Sequence, residues 1–447
     1  MLVSKLRLPN PKFEEAVNAG RSTWKINQYI YNFEMLPDDS MLIPRGMRPE
    51  LISLTERFKV PYSINDQRSN HEFISLDASQ IKYRATQGSA IISLIGAEEG
   101  VLVAPPGSGK TVMGISLLAI FGQPMLWLTH TRPLARQALN RVRTFYPELD
   151  DDAVGLLGDK SWKFGRVFTV GIVQTLIRKT IEEIAEISDR FGIVILDEAH
   201  HCPAKTFTDV VKQFNPRYLY GLTATPYRRD KLENLMFQTM GPETARIDIT
   251  DVENEGTVIV PKLRYRTIDG RRIDDNNFAR IITSLIKNDR RNDIIISDVL
   301  REAVLGHYCI LLSDRKEHCE ILYKSIKEIW PKTGIATGDY SKKKIDEVIS
   351  SLSSGEVTVL VATPSLLGEG FDFKYLSRAF FALPFRAEAK AEQLVGRVSR
   401  SAPGKADAIV YDYVDINAGV LYSQFYSKSK SCRYRVYERL GMMIEPY

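Results

Sequence analysis

Cysteine is scarce in this chain: four in 447 residues, Cys202, Cys309, Cys319 and Cys432. No two of them form a C-x-x-C pair, so a structural zinc site is not indicated. Four thiols spread over so long a chain make no disulfide framework either, which fits a reduced cytoplasmic protein. Long apolar runs are missing as well. No stretch of 18 or more apolar residues occurs, which argues against a helical membrane span. The opening MLVSKLRLPNPKFEE has neither the apolar segment nor the small-residue cleavage site of a secretory leader. Low-complexity tracts and short-period repeats are absent too. What remains is ordinary globular material: 44% hydrophobic and 26% charged residues, enough for buried cores under a polar surface. At ~150 residues per domain the length suggests about three domains. The net charge of +5 permits a polyanionic partner without requiring one.

Three zones of texture follow one another. Residues 1–75 mix basic, aromatic and proline-containing stretches (LRLPNPK, WKINQYIYNF, LIPRGMRP) and show no regular alternation of strand and helix. Over 76–240, short apolar runs (VLVAP, MLWLTH, VFTVGIV, IVILDE, YLYGLTAT) alternate with helix-like stretches. This is the signature of a parallel sheet covered on both faces. Residues 241–285, with DITDVENEG and DGRRIDDNN, interrupt the rhythm and read as a linker with some irregular strands. From 286 to 447 the alternation returns in HYCILLSD, TGIATGD, VTVLVATP, RAFFALP and AIVYDYV. The expected architecture is α/β, with two tandem parallel-sheet domains behind a small N-terminal accessory domain.

Chemistry enters at VLVAPPGSGKT, residues 101–111. An apolar run, a Gly-rich turn and the helical VMGISLLAIF are the context a phosphate-binding loop requires. Pro106, Gly107, Ser108 and Gly109 shape a turn whose backbone N–H groups can converge on phosphate oxygens, beside the positive end of a helix. Lys110 would reach the β- and γ-phosphates, and the Thr111 hydroxyl would ligate Mg²⁺. Ala104 replaces the first glycine of G-x-x-x-x-G-K-[ST], a position that shapes the turn without doing chemistry. The second signal is ILDEAHHCP, residues 195–203, which closes an apolar run. Asp197 there would hold Mg²⁺, and Glu198 would polarise the attacking water. A metal cluster of His200, His201 and Cys202 is disfavoured, because successive side chains of an extended segment point to opposite faces.

The ordered series APPGSGKT, LTHTRPLARQ, TVGIVQT, LDEAHH, LTATP, VATPSLLGEGFDF and QLVGRVSR, over about residues 81–412, resembles the motif series of superfamily 2 helicases. Within that superfamily the DEAHH text resembles the branch-migrating helicases of large bacteriophages (UvsW-like) and the XPB-like and RadD-like enzymes. The resemblance implies two RecA-like domains sharing an ATP–Mg²⁺ site, and assigns roles position by position. Gln87 in IKYRATQG would read the adenine, assisted by Arg84; the plainer alternative is a surface glutamine capping a helix. Thr129, Thr131, Arg132, Gln174 and Thr175 would offer donors to the nucleic-acid backbone. His200, with Thr223 and Thr225 of LTATP, would couple phosphate status to nucleic-acid contact. In the second half, Thr363 would touch nucleic acid and Gly370 and Asp372 the nucleotide. Gln393 would sit by the γ-phosphate with Arg397 and Arg400, which are three apart and therefore share a helical face. Arg400 is the first choice for the arginine finger.

The implied activity is ATP-driven unwinding or remodelling of forked, branched or single-stranded DNA in replication, recombination or repair. The protein would act as a monomer, away from membranes, in the cytoplasm (of the host, if the source is viral). Two alternatives stand beside it. An RNA helicase would carry the same motifs. The motor of a restriction-type complex predicts a nuclease, and only about 47 residues follow QLVGRVSR. Residues 1–75 set Lys5, Arg7, Lys12, Arg21, Lys25, Arg45 and Arg48 among Trp24, Tyr29, Tyr31 and Phe33. Basic residues interleaved with aromatics suit phosphate neutralisation and base stacking, and they equally suit a small core with a solvated rim.

Overall fold

The structure, a computed structural model, describes residues 2–201, 205–224, 232–256, 258–270, 277–364, 373–384, 394–427 and 432–447. The chain divides into two compact units. The first is Met1–Pro105 with Gly109–Asp248, the second Pro106–Ser108 with Ile249–Tyr447.

The first unit is built on an eight-stranded sheet. Its order is Glu243–Arg246, Glu99–Val103, Tyr218–Thr223, Ile193–Asp197, Met125–Thr129, Phe168–Ile172, Val154–Gly158 and Ser161–Lys163. Every pairing is parallel except the last, an antiparallel hairpin. Three interior strands, Glu99–Val103, Met125–Thr129 and Phe168–Ile172, are buried at every position. Continuous apolar text is what a strand covered on both faces requires. Helices Lys110–Phe121 and Arg132–Phe145 supply part of the cover. Helix and sheet touch closely at Gly114, where an added Cβ would stand 2.7 Å from the Trp127 ring.

The second unit carries a seven-stranded sheet in which every pairing is parallel. Its order is Thr333–Ala336, Val359–Ala362, Tyr308–Leu312, Leu376–Phe381, Ile409–Asp415, Lys262–Ile268 and Ile444–Pro446. Helix Asp289–Val304 is fixed to it by a fully buried Arg291, which donates to Asp415 (2.9 Å) and to the Ala382 carbonyl (2.6 Å). A buried charge persists only when paired and hydrogen-bonded in this way.

All ten apolar runs read from the sequence are strands. Two other expectations change. The stretch 241–285 is not a linker: Glu243–Arg246 is the edge strand beside Glu99–Val103, while Lys262–Ile268 lies inside the second sheet. Polar residues mask both strands because one lies at an edge and the other, Lys262–Ile268, is only partly covered. Residues 1–75 do not stand apart either. They form short elements, including the ribbon Arg7–Pro9 with Tyr29–Tyr31 and the helix Arg48–Arg57, and they belong to the first unit. Asn32, 6% exposed, bonds Gln238 at 2.7 Å. Gln238 in turn donates to the Lys5 carbonyl at 2.8 Å. Arg45 and Arg48 both pair with Glu99, which is 1% exposed, at 2.7 and 3.0 Å. Among the described residues no helix is long and apolar enough to cross a membrane.

Candidate nucleotide and nucleic-acid site

Parallel sheets gather chemistry at the carboxyl ends of their strands, where loops and helix N-termini meet. The first sheet does this along one edge. Strand Glu99–Val103 leads into the Gly-rich turn. Its neighbour Tyr218–Thr223 ends at Thr223, and the next, Ile193–Asp197, ends at Asp197. Beyond these, Met125–Thr129 leads to Thr131 and Arg132, and Phe168–Ile172 leads to Gln174 and Thr175. Three adjacent strands thus hold the nucleotide candidates, and the following two hold the nucleic-acid candidates. At ~4.8 Å per strand the outermost candidates lie about 19 Å from the turn.

In the turn, Gly107 and Gly109 have φ of +85° and +86°, which a side chain would strain. Gly109 caps the N-terminus of helix Lys110–Phe121. Lys110 folds back so that its Nζ donates to the Ala104 carbonyl at 2.9 Å. Ser108 is buried, and Lys110 and Thr111 are half-buried. Gln87 is 2% exposed and accepts a bond from the Arg84 N–H at 3.0 Å, which caps helix Ala85–Ala97. It therefore caps a helix as the plainer alternative held, yet it is not a surface residue. A Cβ on Gly109 would meet its Nε2 at 2.3 Å and the Arg84 guanidinium at 3.0 Å. The pair stands directly against the turn.

The acidic stretch is not extended past Asp197. Glu198 turns left-handed, with φ of 52°, and Ala199–His201 form a 3-10 turn. The expected alternation of faces fails there for that reason. The Glu198 N–H donates to Asp197 at 3.1 Å, and the His200 Nδ1 lies 3.4 Å from the Glu198 carboxylate and 3.2 Å from the Thr223 hydroxyl. A chain of contacts thus runs from the acidic pair to the end of the neighbouring strand. Burial, and then the charge of Glu198, push the Asp197 carboxyl above its usual range, while Lys110 pulls it down. Among the described residues no group of three His, Cys, Asp or Glu side chains could hold a metal. A cation here would depend on Asp197, the Thr111 hydroxyl and oxygens brought by a ligand, and the raised Asp197 marks where added positive charge would be most stabilising.

Burial sorts the nucleic-acid candidates. Thr129 is 0% exposed, so its hydroxyl presents nothing to a phosphate; the strand simply continues to that residue. Thr131 caps helix Arg132–Phe145, accepting from Leu134 N–H at 3.5 Å. Arg132 is exposed and pairs with Asp159 at 3.2 Å. Gln174 is exposed and Thr175 half-buried. In the second unit Thr363, 9% exposed, follows strand Val359–Ala362. Arg397 and Arg400 are half-buried, but the helical run ends at Val398, and Arg400 lies in an antiparallel bridge with Val258. A shared helical face therefore does not relate the two arginines. Thr225, Gly370, Asp372, Gln393 and Cys202 lie outside the described residues.

The motif series assigns no role to two side chains near these groups. His130, one residue past strand Met125–Thr129, has its pKa lowered by burial and drawn upward by Glu198. Lys405 donates to the carbonyls of Val398 (2.5 Å) and Arg400 (2.7 Å), pinning the backbone that carries Arg400.

A phosphate-type turn, an acidic strand end beside it and two parallel sheets of RecA-like kind define the class of ATP-driven motor proteins. Comparison with known proteins agrees. The family model "Type III restriction enzyme, res subunit" matches residues 80–228, and "Helicase conserved C-terminal domain" matches 290–402. The chain belongs to the superfamily 2 helicases. It is 26% identical over 365 residues to a putative ATP-dependent RNA helicase of Acanthamoeba polyphaga mimivirus, covering 79% of this chain and 66% of that one. To a probable helicase of Escherichia phage T5 it is 26% identical over 330 residues, covering 70% and 67%. To the DNA 3′-5′ helicase XPB of Mycobacterium tuberculosis it is 30% identical over 189 residues, 41% of this chain and 34% of that one. The chain thus spans about two thirds of the two viral relatives. Among solved structures, a fragment of a putative HsdR subunit of a type I restriction enzyme from Vibrio vulnificus covers 89% of this chain and 73% of its own, with a TM-score of 0.58 and 16% identity. S. cerevisiae Dbp5 bound to RNA and ADP BeF3 covers 89% and 93%, with a TM-score of 0.54 and 17% identity. These two likenesses concern the fold.

Proposed function

We propose that this protein is an ATP- and Mg²⁺-dependent DNA helicase or translocase that remodels forked or branched DNA. The observation that carries the reading is the ordered edge of the first sheet, with nucleotide groups on three neighbouring strands and nucleic-acid donors on the next two. In this reading Lys110 and the backbone from Pro106 to Thr111 hold the phosphates, and Arg84 and Gln87 hold the base. Asp197 and Thr111 hold Mg²⁺, and Glu198 orients water. Arg400 is the finger, with Arg397 and Gln393 on the same phosphate and Gly370 and Asp372 beside the nucleotide. His200 relays between Glu198 and Thr223, and Thr225 extends that relay. Thr131, Arg132, Gln174, Thr175 and Thr363 face the strand.

DNA is favoured by the XPB-type relatives, which are named as DNA helicases and translocases. The mimivirus relative is named an RNA helicase, and that supports RNA as the second reading. ATPase stimulation measured with single-stranded DNA, duplex, fork, four-way junction and RNA, with strand separation followed in parallel, separates them. Forks or junctions should stimulate most; stimulation by RNA alone would overturn the DNA reading. Lys110→Ala should abolish turnover. Arg400→Ala should retain nucleotide binding and lower kcat by about 10³-fold or more, the scale of a lost arginine finger.

A further inference from the structure

The loop between helix Pro11–Asn18 and strand Tyr29–Tyr31 holds Trp24 with 90% of its surface in water. A tryptophan gains more from burial than almost any other side chain, so a folded loop that presents one to solvent is unusual. The loop is tied down rather than loose. Gly20 turns with φ of +62°, and Arg21 N–H returns to the Ala16 carbonyl at 2.8 Å. Ile26 N–H closes on Thr23 O at 2.9 Å, and Trp24 N–H reaches the Ser22 hydroxyl at 3.4 Å. At the far end Asn10 clamps the strand entry, its side chain donating to Asn27 O at 2.7 Å and its N–H to Gln28 O at 3.0 Å. The base beneath is riveted to the α/β core through the buried Asn32–Gln238 pair and Lys212, which bonds Asn32 at 2.9 Å.

Charge completes the picture. Up to Tyr31 the chain has five cations, Lys5, Arg7, Lys12, Arg21 and Lys25, against two carboxylates, Glu14 and Glu15. Most of the chain's net +5 therefore resides in its first 31 positions. Arg21 and Lys25, both exposed, flank Trp24 in sequence. Nearby, the Arg7 guanidinium lies over the Tyr29 ring at 4.5 Å, and Tyr31 is 54% exposed. An exposed aromatic face between cations is the arrangement that stacks an unpaired base while its phosphates are neutralised.

We propose that the Ser22–Lys25 turn is a contact for single-stranded nucleic acid, with Trp24 stacking on an unpaired base and Arg21 and Lys25 engaging the flanking phosphates. This rests on the reading of the chain as a nucleic-acid motor. It adds a strand contact on the N-terminal segment, away from the motif residues in sequence. A ring at the tip of a braced loop can hold one strand of an opening junction.

The test uses the full chain and a labelled oligo-dT strand, with anisotropy read across a salt series, beside an abasic strand of equal length. Trp24→Ala should weaken oligo-dT binding by about 5- to 150-fold, the range for loss of one stacked base. Binding of the abasic strand should change little, and Trp24→Phe should recover most of the affinity. Arg21→Gln with Lys25→Gln should flatten the plot of log affinity against log salt by about 1.4, at ~0.7 per phosphate contact on a single strand. Thermal melting, unchanged in Trp24→Ala, guards against misfolding. Equal weakening on the abasic strand, or none on oligo-dT, would overturn the proposal. So would loss of self-association with strand affinity intact, which would assign the ring to a protein interface. A parent protein that binds no strand and shows no nucleic-acid-stimulated ATPase would instead sink the motor reading itself.

Discussion

At the scale of single residues, Lys405 shows what a motif list omits. Its ammonium binds two carbonyls of the backbone that carries Arg400, and burial, with Arg378 and Arg400 nearby, lowers it from 10.5 to about 8. Below that pH the charge-assisted bonds hold; above it they weaken. If Arg400 is the finger, kcat should fall above about pH 8 as Lys405 loses its proton. In Lys405→Gln that step should vanish, with kcat about tenfold lower throughout, equivalent to about 1.4 kcal/mol of barrier. Stability should move the other way. A lysine whose folded value is depressed sheds its proton before the unfolded chain does, so its penalty is present below about pH 8 and is relieved as pH rises toward 10.5. Opposite trends in kcat and melting temperature distinguish positioning from loss of the fold; parallel trends would refute the positioning role.

At the scale of elements, the sheets were legible and their margins were not. The ten buried strands announce themselves because a strand covered on both faces must be apolar throughout. Within 241–285 the sequence indicates irregular strands without placing Glu243–Arg246 and Lys262–Ile268, because charge is permitted where cover is partial. The site follows the same logic. Lys110 opens a helix and Asp197 closes a strand, as the text around them predicts, since strand ends are fixed by sheet register. Thr129 and Arg400 depart from expectation because one more strand residue, or one fewer helical turn, is decided by packing rather than by local text. Glu99 is a further case: a buried acid in an interior strand reads from sequence as a flaw. Its partners Arg45 and Arg48 lie some fifty residues earlier, and Arg45 also donates to the carbonyls of Pro216 and Arg217. Glu99→Ala would leave Arg45 buried without its carboxylate. It should cost about 3 kcal/mol, the low end for breaking a buried pair. That corresponds to a melting shift of the first unit of roughly 6–12 °C. Glu50→Ala, which removes the exposed pair with Lys5, should change stability by about 0.5 kcal/mol or less. Equal shifts for the two would show that the Glu99 cluster fastens nothing.

At the scale of the whole molecule, the two readings of its boundary make different fragments. Sequence texture ends the first domain at 240, whereas the fold carries it to Asp248. The difference is the strand Glu243–Arg246, which covers one side of Glu99–Val103. Val101 N–H bonds the Pro242 carbonyl at 2.8 Å, Ile247 N–H bonds Val103 at 2.9 Å, and Ala245 and Ile247 are buried. A fragment 1–248 should therefore melt in one cooperative step. A fragment 1–240 loses about 3 kcal/mol from Ala245 and Ile247 burial alone. It also bares the strand that leads to the phosphate turn, an invitation to edge-to-edge association. The second half gives the sharper contrast. Starting at 286 deletes Lys262–Ile268, which pairs along seven residues with Ile409–Asp415 on one side and with Ile444–Pro446 on the other. Losing an interior strand splits a sheet, where losing an edge strand only trims it. Fragment 249–447 should fold with a cooperative transition, and 286–447 should show none by calorimetry or near-ultraviolet circular dichroism. Native-like melting of 286–447 would mean that Lys262–Ile268 is dispensable, and that the boundary read from sequence texture is the physical one.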